Sequence, residues 1–329
     1  MTRWKLPNET GIFGVLVVVF VVLSLLSPTF FTVSNTFTLL LNATVIAILS
    51  LGQTFVLLTA GIDLSVGAGI ALSGVIAAVG MQDGFSWGVS VILALLATVL
   101  IGVFNGLVIH YIKVPAFIVT FATMGVASSI PLILTHAVPI PILNPSFSII
   151  GQGFVGPVPF PVILLAILAL VAYVILSRTV FGLHVYSVGG NRESARLAGV
   201  NTAKIDILVY SISGLMSGVA GLIDASRLMS GYPTAGSGNS LFFSISAAVV
   251  GGVSLFGGIG TIPGAIIGAL LIGTLSDGMN ILNVSSYWQS LVIGVIILLG
   301  VTFDTIRTSQ KEKVGFTKVI SGKFAGKKV

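Results

Sequence analysis

Apolar runs broken by short polar stretches define this chain. The first run, 11–26, follows a polar start that carries Arg3 and Lys5. Further runs cover 36–58, 68–81, 86–111, 115–134, 162–176, 205–226, 241–253, 261–277 and 286–303. Most approach the ~20 apolar residues that cross a bilayer as a helix. A charged start before an apolar run also describes a secretory signal. Here the first run ends in SLLSPTFF, without a small-x-small cleavage site, and further runs follow. The pattern predicts an all-α integral membrane protein of about ten transmembrane helices, with 1–10 as a polar N-terminus, 11–304 as one membrane domain and 305–329 as a basic tail.

The polar breaks differ in character. The longest charged one, 189–206, holds Arg192, Glu193, Arg196, Lys204 and Asp206. Such a segment cannot lie in hydrocarbon and must reach water. The connection 136–161 is long and Pro-rich but has no Lys or Arg. With ten spans and the N-terminus inside, every Lys and Arg except Arg227 falls on one side, as the positive-inside rule requires. That arrangement places both termini and the 189–206 loop in the cytoplasm. A faint repeat is also visible: Thr59-Ala60-Gly61 with Ser65 returns as Thr234-Ala235-Gly236 with Ser240, on opposite faces under this topology. A rival match pairs Gly61-Ile62-Asp63-Leu64 with Gly252-Val253-Ser254-Leu255 in the same orientation.

Composition agrees with the class. Hydrophobic residues make up 55%, charged residues only 7%, and mean hydropathy is +1.13; soluble domains are about 25% charged. The net charge of +6 belongs to the tail, because residues 307–329 contain seven Lys or Arg and one acid, Glu312. A basic tail beside a membrane points to the cytoplasmic side or to anionic lipid, and not to nucleic acid. There is no cysteine, which excludes disulfides and Cys-metal sites.

Catalytic chemistry finds no support in the motifs. The chain has no G-x-x-x-x-G-K-[ST] loop, so ATP is not bound here in that way. H-E-x-x-H and G-x-S-x-G are absent, and His110, His136 and His184 are far apart in sequence. No metal site and no cofactor are expected.

Four stretches together carry a family resemblance: TAGIDLSVG at 59–67, GGNRESARLAGVN at 189–201, PTAGSG at 233–238 and GGVSLFGG at 251–258. The chain resembles the permease subunits of bacterial ABC importers for monosaccharides of the ribose, galactose, arabinose and xylose type, with ribose permeases most similar. The resemblance implies a cobalamin-importer-like (type II) permease fold in the bacterial inner membrane. It implies a second permease subunit, ATPase subunits that bind ATP and Mg, and a periplasmic sugar-binding protein. It also makes 189–206 the ATPase-coupling loop, with Asn191, Arg192, Glu193, Ala195, Arg196 and Gly199 as its residues. The loop's own chemistry agrees: Asn191 is a fair N-cap, Glu193 to Ala198 favour a helix, and Gly199 is a fair stop.

Other polar residues have two readings each. Asp63, with Ser65, either lines a transport path or caps the helix that follows. Asn105 lies mid-span between glycines and either bonds a neighbouring helix or touches substrate. Asn239 is a further path candidate. Asp224 and Arg227 share a helix face, and either pair with each other or dock the binding protein. A neutral sugar needs no fixed counter-ion, which fits so few intramembrane charges. An amino-acid permease fits as well; an ion-coupled secondary transporter would need more paired acids.

Overall fold

The computed structural model describes residues 9–285, 287–300 and 302. The start at 1–8 and the basic tail 305–329 lie outside the described residues. The elements in order are α1 (Thr10–Leu26), α2 (Val33–Leu58), α3 (Val66–Gln82), α4 (Trp87–Leu107), α5 (Ala116–Thr135), the short α6 (Ile149–Gln152), α7 (Phe160–Arg178), α8 (Val180–Gly190), α9 (Arg192–Leu197), α10 (Thr202–Leu228), α11 (Ser240–Val250), α12 (Ile262–Ile281) and α13 (Tyr287–Gly300). A π-helical turn, Val108–Ile112, extends α4. Side-chain oxygens of Thr32, Ser86, Asn201 and Thr261 accept backbone N–H bonds at the starts of α2, α4, α10 and α12, supplying partners that lipid cannot.

Helix length corrects the expected count. Among the described residues, six helices are long and apolar enough to cross a membrane: α2, α4 with its π-turn, α5, α7, α10 and α12. The apolar helices α1, α3, α11 and α13 are shorter and fall below that length. The expectation of about ten crossing helices, and the cobalamin-importer-like (type II) arrangement attached to it, therefore does not hold. The same count had placed both termini in the cytoplasm. Hydropathy registers an apolar run but not where backbone breaks trim the helix inside it. The chain is an all-α, multi-pass inner-membrane protein.

Two shorter helices begin inside the bundle. At the start of α3, Ser217 Oγ from mid-α10 donates to Val66 O, and Gly69 faces Ser217 and Thr98. At the start of α11, Gly67 faces Gly236 O and Leu241. The two interior helix starts thus touch each other. The structure decides between the two repeats. Carrying the Ser65–Ser240 offset onward matches Ser86 to Thr261, both N-caps, and Val89 to Gly264, the N–H groups they accept from. It also matches Ala43 to Gly218 and Thr98 to Gly273. Gly218 packs on Thr98 and Gly273 on Ala43, so equivalent contacts recur. α2 and α10 run antiparallel, since Gly52 meets Ser213 while Asn42 meets Arg227. The repeat is therefore inverted, with its pseudo-two-fold axis in the membrane plane.

α2 and α10 are largely buried, whereas α4, α5 and α7 bury only one face and leave the other to lipid. The most extensive helix contact is between α4 and α10. A Cβ added at Gly102 would lie 2.2 Å from Tyr210 O, and one at Gly106 would lie 2.5 Å from Ile207 Cα. Backbones approach this closely only where side chains are absent. Replacing Gly102 by Ala should destabilise the protein by about 1–3 kcal/mol, as overpacking does. Gly125→Ala, where an added Cβ meets nothing within 4 Å, should not. Thermal unfolding in detergent compares the two.

Candidate functional site

The unwound segment 59–65 between α2 and α3 is buried at Thr59, Gly61, Asp63 and Ser65, exposed at Ala60, and rich in polar contacts. Its carbonyls take side-chain donors from several helices. Gln53 Nε2 of α2 donates to Asp63 O at 2.5 Å, and Thr120 Oγ1 of α5 donates to Ile62 O at 3.2 Å. The Tyr210 hydroxyl of α10 reaches Ile62 O at 3.5 Å. Asp63 is fully buried, and its Oδ1 accepts from the backbone N–H of Ser65 at 2.9 Å and from Ser65 Oγ. The carboxylate therefore closes the turn before α3, while Ser65, the N-cap position, makes no side-chain cap. Asn105 Nδ2 donates to Ser65 Oγ at 3.1 Å, and Asn105 Oδ1 accepts from Thr123 Oγ1 at 2.8 Å. Three of the four path candidates, Asp63, Ser65 and Asn105, thus form one hydrogen-bonded group. Burial leaves none of them open to a solute in this conformation.

Asn239 is elsewhere. Its Oδ1 accepts from Ser290 Oγ at 3.1 Å, and both line a cavity of about 180 Å³ with Phe242, Ile293, Gly294 and Ile297. Asp224 and Arg227 form no ion pair within 4 Å. Arg227 Nη2 instead donates to Asn42 Oδ1 at 3.2 Å, and Gln152 Nε2 donates to the Arg227 carbonyl at 3.0 Å.

The charged loop sits at the opposite end from Arg227. Asn191 Oδ1 accepts from Ser194 N–H and starts α9, and Gly199 after it has φ +85°. Ala195 faces inward; Glu193, Arg196 and Leu197 face out, with Leu197 76% exposed. Arg196 Nη2 bonds Glu193 Oε1 at 2.6 Å. That guanidinium lowers the Glu193 carboxyl below its ordinary pKa. The pair is therefore fully charged above the usual carboxylate range and is lost only as pH falls through the lowered value. Arg192 turns the other way. Its Nη1 and Nη2 bond both oxygens of Asp206 at 2.7 and 2.8 Å, and His110 Nδ1 meets Asp206 Oδ2 at 2.7 Å. Gly189 packs against Leu58 O at the end of α2, and Gly258 N donates to that same carbonyl.

Sequence reasoning placed Arg192 and Asp206 on the loop but missed that they pair, and it missed the second partner of Asp206, His110. Asp206 and His110 are far apart in the chain, and no spacing rule links them. Gln53, Tyr210 and Thr120 were also missed, because single polar residues in apolar helices have no pattern.

Residues 35–301 match the family described as branched-chain amino acid transport system / permease component. The chain belongs to this family. This description replaces the cobalamin-importer-like (type II) expectation. Family membership makes the chain a transport subunit and not an enzyme. The chain is 42% identical to the ribose import permease protein RbsC of Escherichia coli (strain K12), covering 92% of this chain and 95% of that protein. It is 39% identical to RbsC of Bacillus subtilis (strain 168), covering 90% and 92%. It is 37% identical to the L-arabinose ABC transporter permease protein AraH of Azospirillum brasilense, covering 94% and 91%. No solved structure matches the chain.

The Asn105 group generates a direct test. Asn105→Leu removes the bonds to Ser65 and Thr123 from a buried site and should cost about 1–3 kcal/mol. Thr123→Val removes one bond and should cost less. Denaturation of the purified protein measures both.

Proposed function

We propose that this permease carries a ribose-like monosaccharide, received from an extracytoplasmic binding protein, and that 189–206 is where a separate ATPase subunit docks. The coarser statement is direct: the chain is the membrane-spanning permease subunit of a monosaccharide ABC importer. The sugar class rests on the relatives, whose names specify ribose and L-arabinose.

The observation that carries the docking assignment is the outward face of α9. Glu193, Arg196 and Leu197 stand together in water, a charged pair beside an exposed leucine. An exposed apolar side chain flanked by charges suits a partner's groove. Lys113, Arg178, Arg192, Arg196 and Lys204 cluster at this end, which supports a cytoplasmic face. The opposite end, with Arg227, Asp224 and the 136–159 connection, is the counterpart that would meet the binding protein. A second permease subunit, in a homodimer, would complete the path. Among the path candidates, Asn239 lines the roomier cavity, about 180 Å³ against about 10 Å³ beside Ser65, whereas Asp63, Ser65 and Asn105 suit a hinge that shapes the path from behind.

Import into liposomes holding this chain, its ATPase and its binding protein tests the reading. Glu193→Ala with Arg196→Ala should cut ATP-dependent ribose uptake at least about tenfold, the equivalent of ~1.4 kcal/mol of docking. It should also weaken ATPase association. Unchanged uptake and assembly would remove these residues from the docking site. Uptake without any ATPase would overturn the ABC mechanism, and uptake of a branched-chain amino acid in place of ribose would overturn the sugar assignment.

A further inference from the structure

We infer that the Arg192–Asp206–His110 triad, centred on a buried carboxylate, is the joint that passes movement of the docking loop into the membrane domain. The inference rests on the reading of 189–206 as the ATPase-docking loop. Arg192, Asp206 and His110 are then positioning residues for transport: none needs to touch ATP or sugar.

The geometry has three links. The first is the triad itself. Asp206 is 1% exposed, and its two oxygens are held by the forked Arg192 guanidinium from α9 and by His110 from the π-turn after α4. A bidentate guanidinium–carboxylate pair resists rotation as well as separation. Tension or thrust on α9 therefore reaches α10 and α4 together, although the chain joins α9 only to α8 and α10. The carboxylate faces Arg192 and His110 directly, and the Tyr210 ring lies one turn further along α10.

The second link is the α4–α10 pair. Gly102 and Gly106 bring the two backbones into contact, so these helices move as one slab. The third is what the slab carries inward. Asn105 of α4 holds Ser65, and Tyr210 of α10 lies against Gly61 and reaches Ile62 O. Both act on the unwound segment 59–65, next to the point where α3 and α11 begin. The same segment is gripped from α2, whose last carbonyl, Leu58 O, takes the N–H of Gly258 and lies against Gly189. The loop thus holds the hinge from two sides. The outward pair Glu193–Arg196 shares no hydrogen bond with this triad, which separates docking from transmission.

The test uses the full complex of this chain, the ATPase and the binding protein in liposomes. Sugar imported per ATP hydrolysed is the readout, with ATPase association measured in parallel. Asp206→Asn keeps the shape and removes the charge. Arg192→Gln removes the charge and the fork from a half-exposed position, so it remains decisive where the buried substitution impairs folding. Both should still bind the ATPase and hydrolyse ATP, yet import at least about fivefold less sugar per ATP, the lower end of measured coupling between sites. Arg192→Lys, which keeps the charge, should retain more of the ratio than Arg192→Gln. A ratio unchanged in Asp206→Asn and Arg192→Gln overturns the joint. Failure of the docking reading shows separately, as full ATPase association in the Glu193→Ala/Arg196→Ala protein.

Discussion

An unwound backbone inside a membrane protein has to find its hydrogen bonds from its neighbours, since hydrocarbon offers none. Residues 59–65 meet that demand through Gln53, Tyr210 and Thr120, while Asp63 and Asn105 hold the turn into α3. Those donors come from α2, α10, α5 and α4. The break in one helix thereby dictates where four others stand. It also dictates that polar side chains in those helices face inward, leaving lipid an apolar surface.

The inverted repeat follows the same logic. Each half contains one helix that starts in the interior, α3 or α11, and each start is preceded by a TAG sequence. The two starts touch at Gly67 and Gly236. A broken helix is costly alone, but two placed back to back satisfy part of each other's packing.

The charged residues divide into two sets with different tasks. Glu193 and Arg196 lie in water, where an ion pair contributes little to stability and is free to exchange for a partner. Arg192 and Asp206 are linked where the carboxylate is shut away from water, so removing either partner leaves a charge uncompensated. One set suits recognition and the other suits rigidity. Both occur within a few residues of α9, because a short helix presents opposite faces to water and to the bundle.

Much of this protein was legible in the sequence. The apolar runs announced an integral membrane helical protein, and the cluster of charges at 189–206 announced a water-facing loop, because burial of either pattern in the wrong solvent is too costly. The four spaced motifs pointed to the permease family, and Asn191 and Gly199 marked the ends of α9. The number of full spans was not legible. The runs 68–81 and 241–253 register as apolar whether their helices cross or begin halfway, and only the fold shows that α3 and α11 begin in the interior. The partners of Asp206 were likewise invisible: His110 reaches it because Gly102 and Gly106 bring α4 against α10. Local pattern reports which solvent a residue prefers; which residue it meets there is decided by the packing of distant helices.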